Sequence, residues 1–389
     1  MTVLIFVIGI LLFIGLIVVH EYGHFIMARR NGVEVEEFGI FFPPRLWKYK
    51  TKAGWLFTIN ALPLGGFVRL KGEHDSDTEK GSFGAASLKA KTKIMVAGVV
   101  ANLLTALLLF TFIALIGMPK FIDNQFSVAK DTQLLKNAVQ VGYVEPGSPA
   151  AKAGLQSQDE LLSFQAPGYS PVGVESSEKL PEITKRFAGQ TVKLGYVRDG
   201  KDQTTQIKLL DKKEVEASKK TDNPKGYLGI LPSQLVISRS TWSAPIVAVG
   251  MSAQFTKLTF QGLGHSLAGL GSLIAGGVTG NSEARKNGQE KASSQISGPL
   301  AIFYILKQGS GLGYIYMLFI IAVISLSLAI MNILPIPALD GGRLWITLVA
   351  RALKKPLSAR TEEIVNATGF FILLGLIALV TLVDYKRFF

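Results

Sequence analysis

The residues best suited to chemistry in this chain are two imidazoles four positions apart with a carboxylate between them, His20-Glu21-Tyr22-Gly23-His24. On a helix, positions i and i+4 share a face, so both rings can reach one Zn2+ while Glu21 is placed to take a proton from water. Composition alone would yield this pattern with a probability of about 0.002. The chain has no Cys and only four His, at 20, 24, 74 and 265. That removes disulfides, thiolate metal sites and a cysteine nucleophile. Zinc held by two His needs a third protein ligand and one open position. Asp340 is the best candidate, because Pro335 and Pro337 in Asn332-Ile333-Leu334-Pro335-Ile336-Pro337-Ala338-Leu339-Asp340-Gly341-Gly342 break a helix and turn the next carboxylate back. The competing use of Asp340 is to cap the helix that follows it.

The elements that must position these residues are apolar. With 389 residues, 48% of them hydrophobic and 18% charged, the composition is that of a membrane protein with a soluble part. Four stretches, 2–28, 94–118, 314–338 and 366–383, approach the ~20 apolar residues that cross a bilayer. The first lacks a basic leader region and outruns a signal sequence, so it is expected to stay as a span. His20 lies nine residues before Arg29, which sets a metal about 13 Å inside the helix end. Ionisable groups at that depth cost several kcal/mol unless paired or liganded. A catalyst there requires a substrate that is itself in the membrane.

Charge sets the orientation. Net charge is +13, and twelve Lys and Arg lie between 29 and 93. A second basic loop carries Arg343, Arg351, Lys354, Lys355 and Arg360. Basic loops stay in the cytoplasm, which leaves the termini and 119–313 outside. The excess suits anionic lipid, and no nucleic acid is implied. The stretch 241–278 is apolar enough for a fifth span, but it holds Gln254, Lys257, Gln261 and His265. If it crossed, Asp340 would arrive on the face opposite His20, so it is expected to lie at the interface.

The resulting fold class is a polytopic α-helical membrane protein with four transmembrane helices, a membrane-associated β-hairpin region and a small α+β domain. The first half of the membrane domain spans 1–118, with the cytoplasmic loop 29–93 between its two spans. In that loop Val33 to Ile40 and Trp55 to Asn60 read as strands lying on the membrane surface. Residues 126–212 read as a globular domain with one helical patch, Leu180 to Phe187. Residues 227–313 form interfacial amphipathic segments, and 314–389 the second half of the membrane domain.

The sequence resembles the site-2 proteases, zinc metalloproteases that cut within membranes, and most closely their bacterial regulator-of-sigma-E branch. The resemblance rests on HEYGH in the first span, INALPLGGFVRLKGE at 59–73, AGVVANLL at 97–104, SGPLAIF at 297–303 and NILPIPALDGG at 332–342. It implies zinc on His20, His24 and Asp340, with Glu21 as the base. It further implies a multi-pass protein of the bacterial plasma membrane, active site toward the cytoplasm. Its substrates would be single-span proteins such as anti-sigma factors, or signal-peptide remnants. The run Val141 to Leu155 followed by Asp159 is similar to a PDZ domain, which would lie outside the membrane. Family members usually have Gly before that Asp, where this chain has Gln158.

Other residues carry two readings. Asn102 and Asn332 either bond a neighbouring helix or, as the resemblance favours, hold substrate backbone or the active-site loop. Gly65 and Gly66 either mark a tight turn or flank a strand that binds unwound substrate. His74, in Glu73-His74-Asp75-Ser76-Asp77, reads as part of a solvated acidic loop, and His265 as an interfacial residue. Two other classes use the same motifs: a membrane adaptor whose PDZ-like domain binds peptides beside an inert HExxH, and a metal transporter. A transporter would want polar residues along several spans, and the second and fourth are nearly bare of them.

Overall fold

The computed structural model describes residues 2–122, 124–136, 138–219, 224–234, 236–279, 281, 283, 299–354 and 358–388. Helix α1, Thr2–Arg30, carries the HExxH motif and ends on Arg29 and Arg30. The chain then forms strands β1, Val35–Lys50, and β2, Leu56–Leu70, both longer than the sequence suggests. Val35 to Ile40 pairs with Gly66 to Leu70, while Trp47 to Lys50 pairs with Leu56 to Ile59. The two long strands thus fold back on themselves into a wider ribbon. Helix α2, Leu88–Ile116, begins six residues before the expected 94, because Ser87 caps it by accepting from the Ala90 N–H at 3.2 Å.

The chain divides into two compact units, and the smaller comprises 119–123 and 132–239. Its bounds differ from the expected 126–212: residues 126–131 belong with the membrane helices and 213–239 with the small unit. Strand β3, Gln133–Lys136, is followed by β4, Val139–Val144, and a one-turn helix α3, Pro149–Lys152, capped by Ser148. Then come β5, Glu160–Gln165, and β6, Val172–Gly173. Helix α4, Leu180–Arg186, matches the expected helical patch. The unit continues through β7, Thr191–Arg198, β8, Lys201–Lys208, and α5, Lys212–Ser218, and ends with β9, Ile230–Ser233, and β10, Val236–Arg239. The main sheet runs β9-β4-β5-β7-β8, with β6 on β5, and β10 pairs separately with β3. Alternating apolar residues fill its core, including Val141, Leu161, Phe164, Val192, Leu194 and Ile207. Gln158, in place of the usual glycine, sits at φ +76°, a left-handed conformation that favours glycine. In this turn the Gln158 N–H donates to Val141 O at 2.7 Å, and buried Asp159 pairs with Arg198 at 2.6 Å.

The larger unit resumes with α6, Ala244–Thr279, a single helix of 36 residues. It is followed by α7, Pro299–Gly311, α8, Tyr314–Ile333, α9, Asp340–Ala352, and α10, Ala359–Phe388. Helices α1, α2, α8 and the Ala359–Ala378 part of α10 are long and apolar enough to cross a membrane. The third span stops at 333 instead of 338, where the Pro335 and Pro337 turn begins. The helix expected at 366 already starts at Ala359.

Helix directions follow from their contacts. His24 meets Ile94 and His20 meets Asn102, so α1 and α2 are antiparallel. Phe110 packs on Phe319, and the Ser325 hydroxyl donates to Asn102 O at 2.8 Å, so α2 and α8 are antiparallel too. Hence α8 runs parallel to α1, and its C-terminal end lies beside the HExxH turn. The chain between α2 and α8 therefore makes no net crossing of the bundle. Within it, α6 starts where the Ser240 N–H donates to Ala114 O and reaches Phe110 with Phe255, their rings 6.1 Å apart. Ala244, Val247, Ala248 and Met251 of α6 share a buried cluster with Ala106, Phe110, Ile113 and Ala114 of α2.

Candidate metal and active site

His20 and His24 project from one face of α1, and Asp340 arrives as the first residue of α9. Asp340 Oδ2 lies 3.0 Å from His20 Nε2 and 3.1 Å from His24 Nε2, and the two Nε2 atoms are 3.2 Å apart. Tetrahedral zinc with bonds of 2.0–2.1 Å separates its ligand atoms by about 3.3 Å. The triangle of two nitrogens and one carboxylate oxygen fits that ion. Asp340 does not cap α9: Leu339 occupies the cap position, with no side-chain cap bond.

Both rings are held from behind. The His24 Nδ1–H donates to Ile94 O at 2.8 Å, which leaves Nε2 bare for a metal. Of the two readings of Asn102, a bond to a neighbouring helix or a hold on substrate, the structure has the first: its fully buried amide sits 3.3 Å from His20 Nδ1, behind the ring. With Oδ1 turned toward His20, Asn102 would accept the Nδ1–H and free Nε2 in the same way.

Glycines allow the close approaches. A Cβ on Gly98 would fall 2.4 Å from His24 Nε2 and 2.6 Å from His20 Nε2, so only glycine lets α2 lie against both rings. A Cβ on Gly341 or Gly342 would fall about 2.2 Å or 2.1 Å from the carbonyl oxygens of Leu334 and Ile336. That pair lets α9 start directly over the proline turn. Neither role is visible in spacing, although AGVVANLL and LDGG mark both places.

Gly65 and Gly66 lie within β2, and neither has positive φ, so they do not form a tight turn. A Cβ on Gly66 would meet Glu21 Cγ at 3.0 Å, which puts the strand beside the motif's carboxylate. Glu21, Ile17, Gly39 and both glycines line a narrow cleft there. Among the described residues no strand other than β1 pairs with β2. Asn332 is half-buried near the end of α8, and no side-chain hydrogen bond involves it among the described residues. His265 lies on α6, away from the triad, and residues 297–298 of SGPLAIF fall outside the described residues.

The acidic loop around His74 is not solvated throughout. Asp75 is buried against Lys91, and His74 faces Glu362 at 3.4 Å and Glu363 at 3.6 Å.

Comparison with known proteins matches residues 8–376 to the model of peptidase family M50. A Clostridium perfringens (strain 13 / Type A) protein named as a zinc metalloprotease is 29% identical over 376 residues, 97% of each chain. The regulator of sigma E protease of Salmonella typhimurium (strain LT2) is 25% identical over 456 aligned positions, covering 96% of each chain. An Enterococcus faecalis protein named as a protease is 24% identical over 462 positions, covering 98% of each. With a family model spanning nearly its whole length and four helices able to cross a bilayer, the chain belongs to peptidase family M50, the zinc metalloproteases, as a multi-pass membrane member.

Proposed function

We propose that the protein is an intramembrane zinc endopeptidase that cuts transmembrane segments of single-span proteins or signal-peptide remnants. The observation that carries this reading is the meeting of His20 Nε2, His24 Nε2 and Asp340 Oδ2 within 3.2 Å, with both histidines on a helix long enough to span a bilayer. These three residues would hold the ion. Bound zinc lowers the pKa of water toward ~7 and polarises a carbonyl. Glu21 takes the proton of the attacking water and returns it to the leaving amine. A helical substrate hides its scissile carbonyl in its own hydrogen bonds and must first be unwound. The open edge of β2 at Gly65 and Gly66 supplies backbone partners to the unwound segment beside Glu21. The Asn332 amide, without a side-chain hydrogen bond among the described residues, supplies another.

The active site belongs toward the cytoplasmic face of a bacterial plasma membrane, beside the basic loops. Helix α6 lies at the opposite interface, a reading supported by Gln254, Lys257, Gln261 and His265 along it. The unit of 132–239 is PDZ-like and sits outside, where it limits the size of what approaches. Its removal should permit cleavage of substrates with bulky external domains, and loss of cleavage of a short substrate would argue for recruitment instead.

Glu21→Gln should abolish cleavage yet keep zinc, whereas Asp340→Asn should cost zinc affinity about tenfold or more. Cleavage by Glu21→Gln above a few per cent of wild type would sink the assignment of the base. Unchanged zinc affinity in Asp340→Asn would put the third ligand elsewhere.

A further inference from the structure

A fully buried lysine on a metalloprotease's second span has no part in the chemistry described so far. Lys91 is 0% exposed, and its ammonium bonds Asp75, whose side chain is 2% exposed. Burying two charges costs several kcal/mol per ion before their attraction is counted, so a pair of this kind is a poor way to gain stability. Geometry is its better-supported use. Asp75 also accepts from Arg351 Nη2 at 3.2 and 3.3 Å, and its own N–H donates to Glu362 at 3.0 Å. Four elements therefore meet on one residue: the loop after β2, the first turn of α2, the last turn of α9 and the first turn of α10.

The loop is braced to serve as an anchor. The Leu70 N–H donates to Glu73 Oε1 at 2.9 Å, and the His74 N–H to Asp77 Oδ2 at 3.0 Å. It grips α9 a second time, near Asp340: Arg343 donates to Glu73 O and lays its guanidinium over the Phe83 ring at 4.6 Å. Lys91 stands over the same ring at 5.6 Å. The two grips, at Arg343 and Arg351, are eight residues or about 12 Å apart along a helix whose first residue is Asp340. A rigid helix held at two such points can neither turn nor slide. On the other side, α2 carries Ile94 and Gly98, which contact the imidazoles. Burial pushes the Asp75 carboxyl up, but the Lys91 hydrogen bond and the Lys91 and Arg351 charges outweigh it and hold it below its ordinary range.

We propose that Glu73 to Asp77, Lys91, Arg343 and Arg351 form a cytoplasmic clamp that sets the Asp340 carboxylate against His20 and His24. Lys91, Asp75, Arg343 and Arg351 are then positioning residues for the metal centre. The inference rests on reading His20, His24 and Asp340 as the zinc triad. Such sites need their groups held within about 0.5 Å, which the short turn at Leu334 to Leu339 does not guarantee alone.

The test uses the full-length protein in detergent, with Zn2+ and Co2+ as probes. Arg351 is 45% exposed, so Arg351→Gln should fold with little change in melting temperature. Its zinc dissociation constant should nonetheless rise about tenfold, its Co2+ absorption bands should shift, and kcat should fall at nearly constant KM. Arg351→Lys should recover part of the affinity, while Arg360→Gln, an exposed control, should change nothing. The double variant Asp75→Asn with Lys91→Met removes the buried pair, leaves only the 45% exposed Arg351 without its carboxylate, and should show the same loss of zinc. If the wild type binds zinc and these folded variants keep its affinity and kcat within twofold, the clamp is refuted and the pair is only structural. If the wild type binds no zinc at all, the triad reading fails first and the clamp falls with it.

Discussion

Adding one methyl group at Gly98 tests the site more sharply than deleting a ligand. Its Cβ would stand 2.4 Å from His24 Nε2, 2.6 Å from His20 Nε2 and 2.6 Å from His20 Cε1. Ordinary contact begins near 3.4 Å, so rings or helix must yield by about 1 Å, and both rings are tied from behind. A misplacement of that size costs about a hundredfold in rate. Helix propensity acts in the opposite direction, because alanine is favoured over glycine by up to about 1 kcal/mol within a helix. Gly98→Ala should therefore lose zinc affinity and about two orders of magnitude in kcat/KM without losing helical content. Gly15→Ala is the control, since a Cβ there meets nothing within 4 Å. Metal content, circular dichroism and cleavage of a transmembrane peptide would be measured on both variants. Full zinc occupancy and activity in Gly98→Ala would refute the claim that α2 lies directly against the metal ligands.

Three further outcomes are expected. Gln158→Gly should stabilise the 132–239 unit by about 1 kcal/mol by removing left-handed strain, as read by urea unfolding of the full chain; a loss of stability would contradict it. Asp131 accepts from the N–H groups of Thr241 at 2.8 Å and Ser243 at 3.0 Å ahead of α6, and its hydrogen bonds, the Ser243 and Thr241 hydroxyls first, lower its pKa to about 2. Its folded pKa lies below its ordinary 3.8, so its contribution is complete above that value and is lost as pH falls toward 2; a carboxyl titrating near 4 by NMR would show the cap to be absent. Single Cys residues at the exposed positions Lys52 and Lys201 should label from opposite faces of sealed vesicles, and labelling from one face would overturn the orientation.

Much of the site is legible because its constraints are local or chemical. HExxH puts His20 and His24 on one helix face by periodicity, and the paired prolines announce the turn that brings Asp340 to them. Span limits were less legible where charges enter the helices. Lys89, Lys91 and Lys93 read as loop residues, yet Ser87 starts α2 before them. The small unit closes only when β9 returns, some ninety residues later in the chain, to pair with β4, and no local pattern announces a pairing of that range. Gly65 and Gly66 read equally as a tight turn and as flanking a substrate-binding strand, because glycine serves both. Both lie within β2, where a Cβ on Gly66 would meet Glu21 Cγ and one on Gly65 the Phe42 ring.

The clamp shows the limit most clearly. In the sequence Asp75 belongs to an acidic run and Lys91 to a basic one, and each run is more economically read as solvated surface or as a topology signal. In the fold Lys91 is buried against Asp75 and Phe83, and Asp75 is met by Arg351 and Glu362 arriving from more than 270 residues away. Their arrival depends on α8 running parallel to α1, which brings the second basic loop to the same end of the bundle as the first. The same direction brings Asp340 to His20 and His24. A single topological fact thus assembles the metal triad and the ion network together. An arrangement in which α6 made an additional crossing would lose both at once, so damage to the network and damage to the triad are two readings of one fold.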